Sequence, residues 1–120
     1  MSRTILVVDD NPDAREMVSY ILAKEGFSVI TAGDGEAALD LVKKQIPDLI
    51  ITDIQMPKLD GIEMIKRLRD RLRSKNVPIL VMSSFGNGAI QAAMDAGANK
   101  STPKPMAVDY FLKIVRQLLD

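Results

Sequence analysis

The chain has 120 residues, 47% of them hydrophobic and 27% charged, with 16 basic residues against 16 acidic ones and a net charge of zero. That is enough apolar material for one globular core, and it excludes recognition of nucleic acid or an anionic membrane surface through bulk charge. Cysteine and histidine are both absent, which excludes disulfides, thiolate chemistry, imidazole acid–base catalysis, histidine metal ligation and a phosphohistidine on this chain.

Arg3 is followed by only a short apolar stretch before Asp9-Asp10, so no signal peptide is expected. No apolar run approaches the roughly 20 residues of a membrane span. A cytoplasmic chain forming one domain over residues 1–120 is the expectation. Ile5 to Val8 reads as a buried strand ending at Asp9-Asp10. Asn11-Pro12 then starts a helix, with Asn11 as N-cap and Pro12 in the first turn. Met17, Ile21, Leu22, Ala14 and Val18 share a face at helical spacing, and Lys24-Glu25-Gly26 ends the helix. Phe27 to Ala32 is a second short strand. Asp34, inside a Gly-Asp-Gly turn, caps a helix carrying Ala37, Ala38, Leu41 and Val42, which Pro47 stops.

Leu49 to Thr52 is the third strand and leads to Asp53. After a turn at Met56-Pro57, Asp60-Gly61 opens a helix marked by Ile62, Ile65, Leu68 and Leu72. Its basic residues, Lys66, Arg67, Arg69, Arg71 and Arg73, read as a solvated face. Val77 to Met82 is the fourth strand, ending in Ser83-Ser84, and Ala89 to Ala96 is a helix of small residues closed by Gly97. Ala98 to Thr102 is a short fifth strand before Pro103-Lys104-Pro105. Met106 to Leu119 is the last helix, with Val108, Phe111, Leu112, Val115 and Leu118 on one face. The methionines read mostly as core filler, with Met94 and Met106 near a partner surface. Strands that are continuous apolar runs and alternate with helices predict a parallel sheet covered on both faces, an α/β doubly wound sandwich.

In such a sheet all carboxyl ends lie on one edge, where open α/β folds place their ligand sites. Strand one ends in Asp9-Asp10, strand three in Asp53 and strand four in Ser83, and strand five is followed by Lys104. Each has an ordinary structural use taken singly: a cap, a turn residue, a buried hydroxyl, a solvated charge. Taken together they bring carboxylates, a hydroxyl and an ammonium to one place. Clustered carboxylates repel one another unless a cation joins them. Mg²⁺ prefers hard oxygen ligands and often shares its site with phosphate oxygens. Asp53 could then be both ligand and nucleophile, attacking phosphorus to form an acyl phosphate. Lys104 would neutralise phosphoryl charge and the Ser83 hydroxyl would donate to a phosphoryl oxygen.

Val8-Asp9-Asp10-Asn11, Asp53-Ile-Gln-Met-Pro57 with Asp60-Gly61, Met82-Ser83-Ser84, Asp95-Ala-Gly97-Ala98 and Lys104-Pro105 together resemble the receiver domain of bacterial two-component response regulators. The resemblance covers the chain from Ile5 to the last helix. It implies a five-stranded flavodoxin-like sandwich with strand order 2-1-3-4-5, and phosphorylation of Asp53. It further implies Mg²⁺ held directly by Asp10, Asp53 and the main-chain carbonyl of Gln55, and through water by Asp9. Ser83 would stand at the family's Thr/Ser position, Lys104 would pair with phosphate, and the Lys104–Pro105 peptide bond would be cis. Gln55 and Phe85 would flank the phosphoryl group. The donor would be the phosphohistidine of a sensor histidine kinase, and the domain would signal to an output protein or output domain, with no nucleic-acid or membrane contact of its own. It would catalyse only its own phosphorylation and dephosphorylation.

Two departures stand out. The family's switch aromatic three residues before the lysine is Ser101 here, and the Phe that commonly follows Lys-Pro is Met106. These leave an alternative reading as a degenerate receiver or a phosphorelay module without a large switch. An aspartyl-phosphate phosphatase of the haloacid dehalogenase type would instead carry its nucleophile on the first strand in a DxD arrangement. Here that strand ends in adjacent Asp9-Asp10, and the expected five-strand, five-helix layout leaves no room for a cap domain.

Overall fold

The computed structural model describes residues 3–56, 58–71, 74–83, 87–104 and 107–120. Strands β1 (Thr4–Val8), β2 (Ser28–Ala32), β3 (Leu49–Thr52), β4 (Ile79–Ser83) and β5 (Lys100–Pro103) alternate with helices α1 (Pro12–Lys24), α2 (Gly35–Lys44), α3 (Gly61–Asp70), α4 (Asn87–Ala96) and α5 (Val108–Leu119). The strands pair in parallel in the order β2-β1-β3-β4-β5, the flavodoxin-like order expected. The expected turn at Pro57, and Leu72, Arg73, Ser84, Phe85, Met106 and the Lys104–Pro105 bond, lie outside the described residues.

Successive strand residues face opposite sides of the sheet, so a strand covered on both faces must be apolar at every position. Leu6, Val8 and Ile50 pack toward Ala38, Leu39 and Val42 of α2, Met64, Ile65 and Leu68 of α3, and Ala93 of α4. Ile5, Val7, Leu49, Ile51, Leu80 and Met82 pack toward Val18 and Leu22 of α1 and Phe111, Leu112, Ile114 and Val115 of α5. The result is three layers. The expected caps are in place: the Asn11 side chain accepts from the backbone N–H groups of Asp13 and Ala14, and that of Asp34 from Ala37 at 2.8 Å.

Three expectations about faces are corrected. Met17 and Val108, assigned to apolar faces, are 49% and 44% exposed, because each lies at the margin of its helix stripe, away from the sheet. Ile114 joins the buried face of α5 instead. The basic residues of α3 do not form one solvated face, since Arg69 turns inward. Its Nε and Nη2 donate to the Gly97 carbonyl at 3.0 and 2.8 Å, and Nη2 also reaches Asn99 Oδ1 at 2.9 Å. Nη1 donates to the Val77 and Lys75 carbonyls at 2.7 and 3.1 Å. Asn99 Oδ1 also accepts the Ile79 N–H at 2.8 Å. Burial pushes the Arg69 pKa below the usual arginine value. Gly97 sits at φ +125°, and a Cβ there would lie 2.7 Å from Arg69 Cγ, so the clamp needs this glycine for room as well as for conformation.

Arg69 thus ties the end of α3 to the entries of β4 and β5. Arg69→Met, which removes the donors and leaves several carbonyls poorly satisfied, is expected to cost about 2–3 kcal/mol in urea unfolding. On the other side of the sheet, the Thr102 hydroxyl is buried and lacks a hydrogen-bond partner among the described residues. Thr102→Val keeps the shape and removes the orphan, so it is expected to raise stability by about 1 kcal/mol in the same assay.

Candidate functional site

The strand register brings the expected residues to one edge. Val8 of β1 is level with Ala32 and Thr52. The ladder then runs one step past each strand: the Asp9 N–H donates to the Ala32 carbonyl at 3.1 Å and the Asp53 N–H to the Val8 carbonyl at 3.0 Å. Asp9 and Asp53 therefore leave the sheet side by side. At the other edge Ser83 is level with Pro103, and the Lys104 N–H donates to the Ser83 carbonyl at 3.1 Å, so Lys104 emerges at the same height.

Asp9, Asp10 and Asp53 offer carboxylate oxygens within 4.8 Å of one another. Asp9 is buried, Asp53 half-buried and Asp10 exposed. Lys104 Nζ donates to Asp9 Oδ2 at 2.5 Å and to Asp53 Oδ2 at 3.0 Å. Burial of the ammonium would lower its pKa, but the hydrogen bonds it donates to Asp9 and Asp53 and the charges of those carboxylates together outweigh it, and the pKa is raised. Lys104 is therefore a fixed cation at neutral pH. Three carboxylates against one ammonium leave two formal negative charges in the cleft. That charge and an all-oxygen donor set fit a hard divalent cation rather than a thiolate- or imidazole-seeking metal.

The cleft has a volume of about 480 Å³ and is lined by Asp9, Asp10, Asn11, Ala14, Asp53, Gln55 and Lys104. Gln55 thus lines the same cleft as the three aspartates and Lys104. Ser83 is buried at the end of β4, and its carbonyl accepts from the Lys104 N–H, which ties the lysine's backbone to that strand end.

Several supporting residues escaped the sequence reading. The Asn11 N–H donates to Asp9 Oδ1 at 3.0 Å, so the residue that caps α1 also orients Asp9. The Thr52 hydroxyl, fully buried, donates to the Asp53 carbonyl at 2.8 Å, and the Ile54 N–H donates to Asp53 Oδ1 at 2.7 Å. A Cβ on Gly61 would lie 2.2 Å from the Asp53 carbonyl oxygen, which only glycine permits. The Asp60-Gly61 pair at the helix start carried that signal; the hydroxyl before Asp53 carried none. Arg15 Nη1 donates to the Asp9 carbonyl at 2.8 Å.

The strand order and the acidic cleft at the carboxyl edge define a flavodoxin-like α/β protein with its site at the strand ends. Residues 5–116 match the response regulator receiver domain family, and the chain belongs to that family. It is 40% identical over 120 residues to response regulator MprA of Mycobacterium tuberculosis H37Rv, covering 99% of this chain and 51% of that protein. The chain spans about half the length of the curated relatives it matches. Chemotaxis protein CheY4 of Vibrio cholerae superposes with a TM-score of 0.93 at 33% identity, over 99% of this chain and 100% of that one. The receiver domain of sensor histidine kinase PA1611 of Pseudomonas aeruginosa PAO1, solved with a magnesium ion coordinated in its active-site cleft, has a TM-score of 0.93 at 26% identity, over 99% and 98% of the two chains.

Removing the ammonium leaves the carboxylates facing one another. Lys104→Met is expected to lower stability by roughly 3 kcal/mol at neutral pH and low salt. The deficit should shrink in about 1 M NaCl, where screening reaches a few ångströms. Urea titrations at the two ionic strengths check both parts.

Proposed function

We propose that Asp53 is the phosphoacceptor of this receiver domain and that Asp9, Asp10, Ser83 and Lys104 serve it. The observation that carries this reading is the Lys104 ammonium bridging Asp9 and Asp53 inside a cleft where three carboxylates converge. An Asp53 carboxylate oxygen attacks the phosphorus of a phosphohistidine on a sensor histidine kinase. The new P–O bond replaces the P–N bond, and the departing imidazole nitrogen takes up a proton. Lys104, already fixed as a cation beside Asp53, pairs with the added phosphoryl charge. The Ser83 hydroxyl donates to a phosphoryl oxygen. Asp10, Asp53 and the Gln55 carbonyl would hold Mg²⁺ directly and Asp9 through water, and bound Mg²⁺ would offset charge on the carboxylates and phosphoryl oxygens. The site turns over only its own phosphoryl group. A cytoplasmic setting follows from a kinase donor of this kind, and no described helix is long and apolar enough to cross a membrane.

Ser101 gives the response its particular form. It is half-buried on β5, level with Val81, and lines a groove of about 380 Å³ with Met94, Lys100, Tyr110 and Lys113. A hydroxymethyl group cannot make the inward rotation of an aromatic switch. The signal to an output protein or output domain is therefore carried by Ser83 and Lys104 at the ends of β4 and β5. The reading as a degenerate receiver loses its ground because the acidic cluster and its lysine stand together.

With Mg²⁺ and acetyl phosphate as donor, intact mass spectrometry is expected to find a single added phosphoryl group, absent when EDTA replaces Mg²⁺ and absent in Asp53→Asn. Full labelling of Asp53→Asn would overturn the assignment.

A further inference from the structure

We propose that Arg15 is a positioning residue for the acidic cleft, holding the Asp9–Asp10 peptide unit so that both carboxylates face the cation. The inference rests on the reading of the cleft as a Mg²⁺ site.

Asp9 is held at four atoms. Its N–H donates to the Ala32 carbonyl at 3.1 Å, Oδ1 accepts from the Asn11 N–H at 3.0 Å, Oδ2 accepts from Lys104 Nζ at 2.5 Å, and its carbonyl accepts from Arg15 Nη1 at 2.8 Å. The first three fix Asp9 itself. The fourth fixes the peptide plane leading to Asp10. The Asp10 side chain is exposed and makes no hydrogen bond among the described residues, so its aim into the cleft comes from its backbone. The Asp9 carbonyl is the handle on that backbone, and Arg15 is its partner.

Arg15 is also suited to the task by what it leaves alone. Among the described residues it forms no ion pair with a carboxylate, so it does not compete with a metal for the Asp9 or Asp10 oxygens. Its guanidinium lies against Gly33 in the β2–α2 turn, where a Cβ would stand 3.3 Å from Nη1. Arg15 thus joins α1, the end of β1 and the β2–α2 turn behind the cleft. Partners that orient metal ligands from behind typically govern metal affinity as well as ligand placement.

The test is Mg²⁺ titration by calorimetry on wild type, Arg15→Met and Arg15→Lys, with thermal unfolding of each in EDTA. Arg15→Met, which keeps the apolar stem and loses the donors, is expected to bind Mg²⁺ about tenfold more weakly. Arg15→Lys, which keeps one donor, is expected to show an intermediate loss. Both should unfold in EDTA close to the wild-type temperature. A lowered unfolding temperature with unchanged Mg²⁺ affinity in Arg15→Met would overturn the proposal and leave Arg15 a purely structural residue. If Arg15→Met does not fold, Arg15→Lys decides: a weaker affinity than wild type supports the proposal, and an equal affinity overturns it. Wild type that takes up no Mg²⁺ would instead sink the reading of the cleft, and this inference with it.

Discussion

Mutual repulsion among Asp9, Asp10 and Asp53 is the constraint around which this protein is built. Parallel register makes it unavoidable. Because the ladder extends one step past both β1 and β3, two of the aspartates must emerge side by side, whatever their charge. Lys104 answers the repulsion with one ammonium shared between Asp9 and Asp53. It does so from the far edge of the sheet, and its backbone is hooked to the end of β4. The electrostatics of the cleft and the closure of the sheet at its carboxyl edge are thus one interaction, which places three strand ends at a common height.

A shared ammonium satisfies only part of the charge. The remaining two formal negatives make the cleft receptive to a divalent cation, and a phosphoryl group attached to Asp53 would bring further oxygens to the same space. In water such a concentration of like charge would disperse. Here the backbone prevents it: Gly61 admits the Asp53 carbonyl at close range, Thr52 ties the same carbonyl down, and Asn11 and Arg15 fix the Asp9 unit. Preorganisation of this kind is what phosphoryl transfer demands of a protein, since the chemistry needs positioning and charge compensation more than it needs an acid or a base. A chain without histidine loses nothing by that standard.

Much of this could be read from the sequence, for reasons that also explain what could not. A strand buried on both faces leaves a continuous apolar run, so β1, β3 and β4 announce themselves, and the polar residue that breaks each run marks the strand end. Asn11 and Asp34 cap helices through backbone contacts two or three residues away, which local pattern captures. Arg69 and Arg15 were not legible because their partners are mainly backbone carbonyls, Gly97 lying 28 residues from Arg69, and a carbonyl has no letter in the sequence. Both arginines sit within amphipathic helices where a cation is ordinarily solvated. Met17 and Val108 failed for the opposite reason: apolar residues at helical spacing can still fall just outside the arc that meets the sheet.

The fifth strand shows how these parts act together. It is an edge strand, and its central residues are Ser101 and Thr102 rather than aliphatics. Thr102 is level with Met82 and faces the α1/α5 layer, while Ser101 is level with Val81 and faces the opposite one. Apolar packing therefore holds β5 less firmly than β1, β3 or β4. Cations hold it at both ends instead: Arg69 grips Gly97 and Asn99 ahead of its entry, and Lys104 grips Asp9 and Asp53 at its exit. The entry clamp uses neutral carbonyls and is indifferent to events in the cleft. The exit clamp uses the very carboxylate proposed to accept a phosphoryl group. Adding charge to Asp53 must redistribute the bonds of Lys104, and the segment with the least apolar anchorage is the one directly attached to it. With no aromatic at position 101 to rotate, a shift at that end of β5 would reach the groove beside Ser101, Tyr110 and Lys113 through the strand itself.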